Sequence, residues 1–192
     1  AKYGRVDMLP MRKRNARISL RKHTRGVSLI ELLVAVLVMG IGVLGIAALQ
    51  LVSLQNNRSA LMRAEAVQLA YDMMDRVRAN PTGTPLGLPY SGFDLTDPPP
   101  ASTDCYANNC SAADMVAFDQ AVWKCSLGGF NDDSGCVDMR TDGLLPPVDE
   151  QPGLPDGDGS IAVDNATGVV TVVVQWTAQD GTTQTITINS RT

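Results

Sequence analysis

Leu32 to Leu49 are eighteen consecutive residues without a charge or a hydrogen-bonding side chain, and few folds can absorb such a run. As a helix it rises about 27 Å, close to the roughly 30 Å hydrocarbon core of a bilayer, and it reads as a membrane-spanning segment. One acid, Glu31, stands at its mouth, directly after Arg25-Gly26-Val27-Ser28-Leu29-Ile30. A carboxylate in a membrane helix costs up to about 2.5–3.5 kcal/mol at the bilayer centre and is usually kept for a function. Glu31 therefore calls for a partner.

The formal net charge of −4 conceals an asymmetry. Residues 1–26 hold nine of the sixteen Lys and Arg and one of the twenty acids, so Val27 to Thr192 keep seven basic and nineteen acidic residues, a net charge of −12. Such a body, with its arginines scattered, offers no electrostatic footprint for nucleic acid. Met11 to Gly26 carry seven Lys or Arg and no acid, which places that end in the cytoplasm and sends the remainder across the membrane. The chain begins at Ala1, with Met8 and Met11 as candidate starts. An ordinary secretory signal puts a small-residue cleavage site after its apolar stretch. Ala47-Ala48 imitates one only weakly, whereas Gly26 lies before the stretch and next to charge.

Cys105, Cys110, Cys125 and Cys136 then face an oxidising compartment, where an even count reads as two disulfides. Three connectivities are open, and local pairing, 105 with 110 and 125 with 136, is preferred. Zinc clusters favour shorter Cys spacings, so no metal is expected.

Beyond the apolar run the helical pattern continues. Ala60, Ala64, Val67, Ala70, Met74 and Val77 fall three or four apart and are expected to line one face that holds the globular part. Asp72 and Arg76 form an i,i+4 pair in the favoured order, and Asn80-Pro81 ends the helix. Gly40, Gly42 and Gly45 leave two options open, a bend or close packing against another helix. Thr82 to Thr103, rich in Pro and Gly, reads as a surface excursion packed onto the helix. Ser111-Ala112-Ala113-Asp114 looks like a cap for a short helix over about 112–126 that carries Met115, Phe118, Val122 and Cys125, with Trp123 beside them. Residues 159–164, 169–176 and 183–189 read as three strands of an antiparallel meander with one apolar face, including Val170, Val172 and Val174. The fold class is α+β, a long N-terminal helix packed against a small antiparallel sheet.

Catalysis finds little support. The only histidine, His23, lies ahead of Gly26, and Lys124 is the sole lysine after it, so neither a Ser/His/Asp nor a Cys/His arrangement can form in the body. Asp132-Asp133 sits in a Gly/Ser/Asp-rich turn, where solvated loop is the better reading. Asp156, Asp158, Ser160 and Asp164 faintly suggest a calcium loop, but Ile161 and Thr167 stand where a glycine and a bidentate Glu are required. No catalytic residue, cofactor or metal is expected.

Gly26-Val27-Ser28-Leu29-Ile30-Glu31, behind a basic leader and ahead of an apolar run, resembles the class III signal of type IV pilins and pseudopilins. The resemblance implies that a membrane prepilin peptidase cuts between Gly26 and Val27 and methylates the new amino terminus at Val27, where the family usually has Phe. It also implies that Glu31 is an assembly element that meets the amino terminus of a neighbouring subunit. Within that superfamily the chain is most similar to minor pilins of the type IV pilus modification protein PilV family. The similarity rests on Gly42-Val43-Leu44-Gly45, on Asp75-Arg76-Val77-Arg78-Ala79-Asn80, on the block from Cys110 to Trp123, and on the tail from Leu154 to Trp176. The implied organisation is a cleaved leader (1–26), a transmembrane half (27–50) and an amphipathic half (51–80) of one helix, and a periplasmic head (81–192). The implied role is a non-catalytic subunit that waits in the inner membrane and then helps prime the type IV pilus at or near its tip, serving twitching motility and adhesion. Its implied partners are other minor pilins, the major pilin, the prepilin peptidase and the inner-membrane assembly platform. Two alternatives remain at this point: a pseudopilin of a type II secretion system, and a signal-anchored periplasmic binding domain that never polymerises.

Overall fold

The computed structural model describes residues 26–80 and 88–191. The basic leader up to Arg25, the stretch from Pro81 to Gly87 that opens the Pro/Gly-rich excursion, and Thr192 lie outside the described residues. Helix α1 runs unbroken over Leu29–Ala79, 51 residues, and the chain divides within it into two compact units, Ala1–Ala47 and Ala48–Thr192.

In the first unit every described residue of α1 is exposed, and an 18-residue window reaches a mean hydropathy of 2.8 with none of it buried. Backbone hydrogen bonding is complete within a helix, so this segment can enter a membrane without leaving polar groups unpaired. Gly40, Gly42 and Gly45 do not interrupt it, and a Cβ on any of them would meet no other atom. Among the described residues nothing packs there, so these glycines leave smooth, open faces on an intact helix.

The second unit carries the remaining elements: a 3₁₀ turn at Leu88–Tyr90, helices α2 (Ala112–Leu127) and α3 (Ser134–Thr141), and strands β1 (Asp158–Val163), β2 (Val169–Thr177) and β3 (Thr183–Arg191). The strands form one antiparallel sheet in the order β1-β2-β3, with Ile161 opposite Val172 and Val172 opposite Ile188. Residues in β2 alternate between half-buried and buried, and Val170, Val172 and Val174 are all fully buried. This alternation is the period-2 signature of a sheet with one covered face.

That face packs on α1, but not along the whole stripe expected from the sequence. Ala60 and Ala64 are exposed, and the buried line runs through Ala66, Ala70, Met73, Met74 and Val77, with Met62 and Leu69 at its margins. The covered face is thus rotated relative to the expected stripe and begins later. The sheet and α2 reach α1 only from about Met62 onward, and alanine, being small and weakly apolar, is a poor reporter of which face is covered. Small residues at 66 and 70 do have a consequence: the Trp123 ring, wholly buried, comes close enough to α1 for its indole N–H to donate to the Leu69 carbonyl at 2.9 Å.

The excursion lies mostly at the surface and packs inward through two aromatic residues. Tyr90 is fully buried and Phe93 is 7 % exposed, both in the main core, and Phe93 bridges to Ile161 at the free edge of β1. Aromatic burial outweighs the loop character of the surrounding Pro and Gly. Asp132 lies in a turn, as the sequence suggested, and Asp133 is the N-cap of α3, its carboxylate accepting from the Gly135 amide at 2.8 Å, so a short helix that the sequence did not signal follows the turn.

Helix α2 opens with the full capping box, the Ser111 hydroxyl accepting from Asp114 N and the Asp114 carboxylate accepting from Ser111 N. It ends at Gly128 with φ 111°, and a Cβ there would collide with the Leu154 carbonyl. Glycine both permits the left-handed turn and lets the Pro152–Gly157 loop dock on the helix end. The helix separates two cores: Val116, Trp123 and Leu127 join the sheet and α1, while Phe118, Ala121, Val122 and Cys125 join Cys136, Met139 and Leu145. Disulfides Cys105–Cys110 and Cys125–Cys136 stand on the side of this second core.

Candidate processing and assembly site

Three residues, Gly26, Val27 and Ser28, precede α1 in open conformation, and all are exposed. The Ser28 carbonyl accepts from the amides of Glu31 at 3.0 Å and Leu32 at 3.2 Å, which fixes where the helix begins. Glu31 therefore falls in the first helical turn, where free N–H groups and the helix dipole favour a negative charge. No ion-pair partner approaches Glu31 among the described residues. A Cβ at Gly26 would touch nothing within 4 Å, so no contact within the described chain demands glycine there. The Gly26–Val27 peptide bond is accessible, and the fifth residue beyond it is an acid that has no ion-pair partner among the described residues.

At the other end of α1 the polar groups are all used. Arg76 bonds Asp72 at 2.8 Å and Asp119 of α2 at 3.1 Å, and Tyr90 donates to the other oxygen of Asp119 at 2.7 Å. Asn80, the residue after the helix, donates to the Tyr90 hydroxyl at 3.1 Å and to the Ala112 carbonyl at 2.8 Å. Burial works against the Arg76 charge, but hydrogen bonds and attraction from Asp72 and then Asp119 outweigh it and hold the guanidinium above its ordinary value. Burial, followed by the hydrogen bond to Asp119, raises the Tyr90 phenol as well. This network ties the end of α1 to α2 and to the excursion.

Lys124 is the residue whose environment the sequence did not disclose. It is fully buried, and its ammonium donates to the carbonyls of Asp94 and Gly159, each at 3.0 Å, and pairs with Asp158 Oδ1 at 2.6 Å. The rings of Phe93 and Phe130 lie 4.7 and 5.1 Å from it. Three acceptors satisfy all three N–H bonds of an ammonium, so the group pins α2, β1 and the excursion together. Its signal in the sequence was slight: a lone lysine between Trp123 and Cys125, both on a helix with strong apolar periodicity.

The residues weighed as a calcium loop do other work. Asp158 serves Lys124 and accepts from Thr96 N at 2.7 Å, whereas Asp164 closes its own turn with Ala166 and Thr167. Among the described residues no group of three or more His, Cys, Asp or Glu is arranged to hold a metal ion. Cys105 and Cys110 have Cα atoms 5.5 Å apart and Cys125 and Cys136 5.2 Å apart, each pair joined by a disulfide. The second bridge links α2 to α3 with both cysteines fully buried.

Comparison with known protein families yields two matches. Residues 21–47 match the family model described as the prokaryotic N-terminal methylation motif. Residues 48–121 match the Tt1218-like family model, described as type IV pilin Tt1218. The two segments abut where the chain divides into its two compact units. No curated protein and no solved structure matches the chain.

Proposed function

Because the chain is a type IV pilin-like protein, we propose that it serves as a minor pilin, a non-catalytic subunit that helps prime and assemble the type IV pilus with other minor pilins. The observation that carries this reading is the state of α1. Its first part is a continuous apolar helix that nothing in the described chain covers, and its last part is held by a buried core and a satisfied polar network. An exposed apolar surface of that extent requires a second environment. In a pilin there are two in succession, the membrane before assembly and the helices of neighbouring subunits afterwards.

In this reading the prepilin peptidase cuts between Gly26 and Val27 and methylates Val27. The amine so released stands at the positive end of its own helix, which is electrostatically unfavourable, and the Glu31 carboxylate of a neighbouring subunit compensates it. Two charges that an apolar helix bundle would leave costly become one pair, and that pair sets the register between subunits. Resemblance of Gly42-Val43-Leu44-Gly45 and Asp75 to Asn80 to the PilV family supports a minor rather than a major subunit, with a place at or near the pilus tip.

The test is Glu31→Ala expressed in cells that lack the wild-type chain. Leader processing is expected to remain normal, while recovery in sheared pili falls at least about tenfold, the effect of losing an interaction of about 1.4 kcal/mol. Recovery at the wild-type level would refute the registering role. In the same cells, deletion of the protein is expected to abolish twitching and to leave type II secretion intact; the reverse outcome would make it a pseudopilin.

A further inference from the structure

Past the apolar run, α1 and the β2–β3 turn form an open groove of about 560 Å³ whose lining includes Leu51, Leu54, Gln55, Arg58, Leu61 and Gln179. Three leucines there are 63 %, 64 % and 68 % exposed, well beyond what an aqueous helix face needs. At 100° per residue Leu51, Leu54, Arg58 and Leu61 share an arc of about 80°, so the cation stands in the midst of the apolar stripe. Arg76, Arg78 and Arg140 all have hydrogen-bond acceptors. Arg58 has neither a hydrogen-bond nor an ion-pair partner among the described residues. Arg63 is also unpaired, but it lies about 140° around the helix from Arg58, outside the groove.

Depth identifies the occupant. From Leu49, the last residue of the apolar run, to Arg58 the helix rises about 13 Å. An arginine side chain slants back toward the helix N-terminus and can extend about 6 Å that way with its stem on apolar surface. The guanidinium then sits about 7 Å beyond the hydrocarbon edge, and the headgroup layer of a bilayer is about 5–7 Å deep on each side. Its fork of donors matches a phosphate, while Leu51 and Leu54, whose backbone lies about 3 and 7.5 Å past Leu49, stand at the depth of the glycerol and headgroup layer.

We infer that this groove binds the phosphodiester headgroup of an anionic phospholipid in the leaflet on the head's side. Arg58 clamps the phosphate and so fixes how far the subunit stands out of the membrane before it is extracted into a filament. The inference rests on the membrane-anchored stage of the function proposed above, and its site is separate from Gly26 and Glu31.

The experiment uses the full chain reconstituted in nanodiscs containing phosphatidylglycerol, with a nitroxide on Asn56→Cys, an exposed position on α1 outside the groove lining. All four native cysteines are in disulfides, so the label is unique. Broadening of the lipid ³¹P resonance is expected for the otherwise native chain and for Arg58→Lys, and is expected to fall at least about threefold for Arg58→Glu, with the head still folded by circular dichroism. Equal broadening in Arg58→Glu and the native chain would overturn the inference. So would unchanged broadening in all forms together with loss of Arg58→Glu from sheared pili, which would assign the groove to a neighbouring subunit. Failure of the chain to co-float with the nanodiscs would overturn the membrane-anchored stage itself, a result distinct from either.

Discussion

The two halves of α1 share one unbroken backbone and almost nothing else. In the first, Leu44 is 72 % exposed, and the described residues offer no side chain to cover it; in the second, Met73 is fully buried between the sheet and α2. Equal helicity thus conceals two sources of stability. From about Met62 onward the second half is held by tertiary packing within its own chain, whereas the first, apolar on all sides, depends on lipid or on other subunits. Regular secondary structure alone does not say which part of a chain is finished and which awaits a partner.

Aspartate scanning is the sharpest way to break the comparison. Met73→Asp is expected to unfold the head, at a cost of about 5 kcal/mol from lost packing and an unpaired buried charge. Leu44→Asp is expected to leave the head's melting temperature in detergent unchanged and to reduce membrane insertion, since the acid costs about 2.5–3.5 kcal/mol at mid-bilayer. If both variants melted alike, the division of α1 would be wrong. Next in size is Lys124→Ala, which strands Asp158 among its remaining donors; a loss of about 3–5 kcal/mol in chemical denaturation is expected, with no change in membrane insertion.

A smaller effect concerns the cap of α2. Ser111→Ala is expected to lower stability by about 1 kcal/mol. Hydrogen bonds from the Ser111 side chain and backbone hold the Asp114 carboxyl below its usual range. Its contribution is therefore fully present above the unfolded carboxylate pKa, near 3.9, and is lost as pH falls through the lower folded value. Tyr90 has the opposite sign. Its raised phenol contributes stability that is complete below pH about 10 and lost at higher pH. A denaturation series over pH is expected to show both flanks, with the alkaline one flattened in Tyr90→Phe.

Much of this was legible in advance where the signal is local. The apolar run, the Ser111 cap, the valines of β2 and the Asn80 helix stop each depend on a few neighbouring residues, and the structure places helix, cap and strand accordingly. What escaped depends on distant partners. Lys124 is buried because Asp158, Asp94 and Gly159 converge on it from other elements. The covered face of α1 is set by where the sheet ends, which the Ala60 and Ala64 spacing does not encode. Helix α3 is eight residues long and begins Ser134-Gly135, a pattern that locally reads as a turn. Tyr90 and Phe93 could have been found by weight of composition, since seven Phe and Tyr serve the whole chain and two in one Pro/Gly-rich stretch are poorly spent on a surface.

The pilin assignment concentrates on one bond. Intact-mass and terminal-sequence measurement of the chain recovered from sheared pili tests it most directly. The expected species begins at Val27, carries one added methyl group on its amine and retains both disulfides. A chain found only in the membrane, with its basic leader intact in cells that process their other pilins, would contradict it.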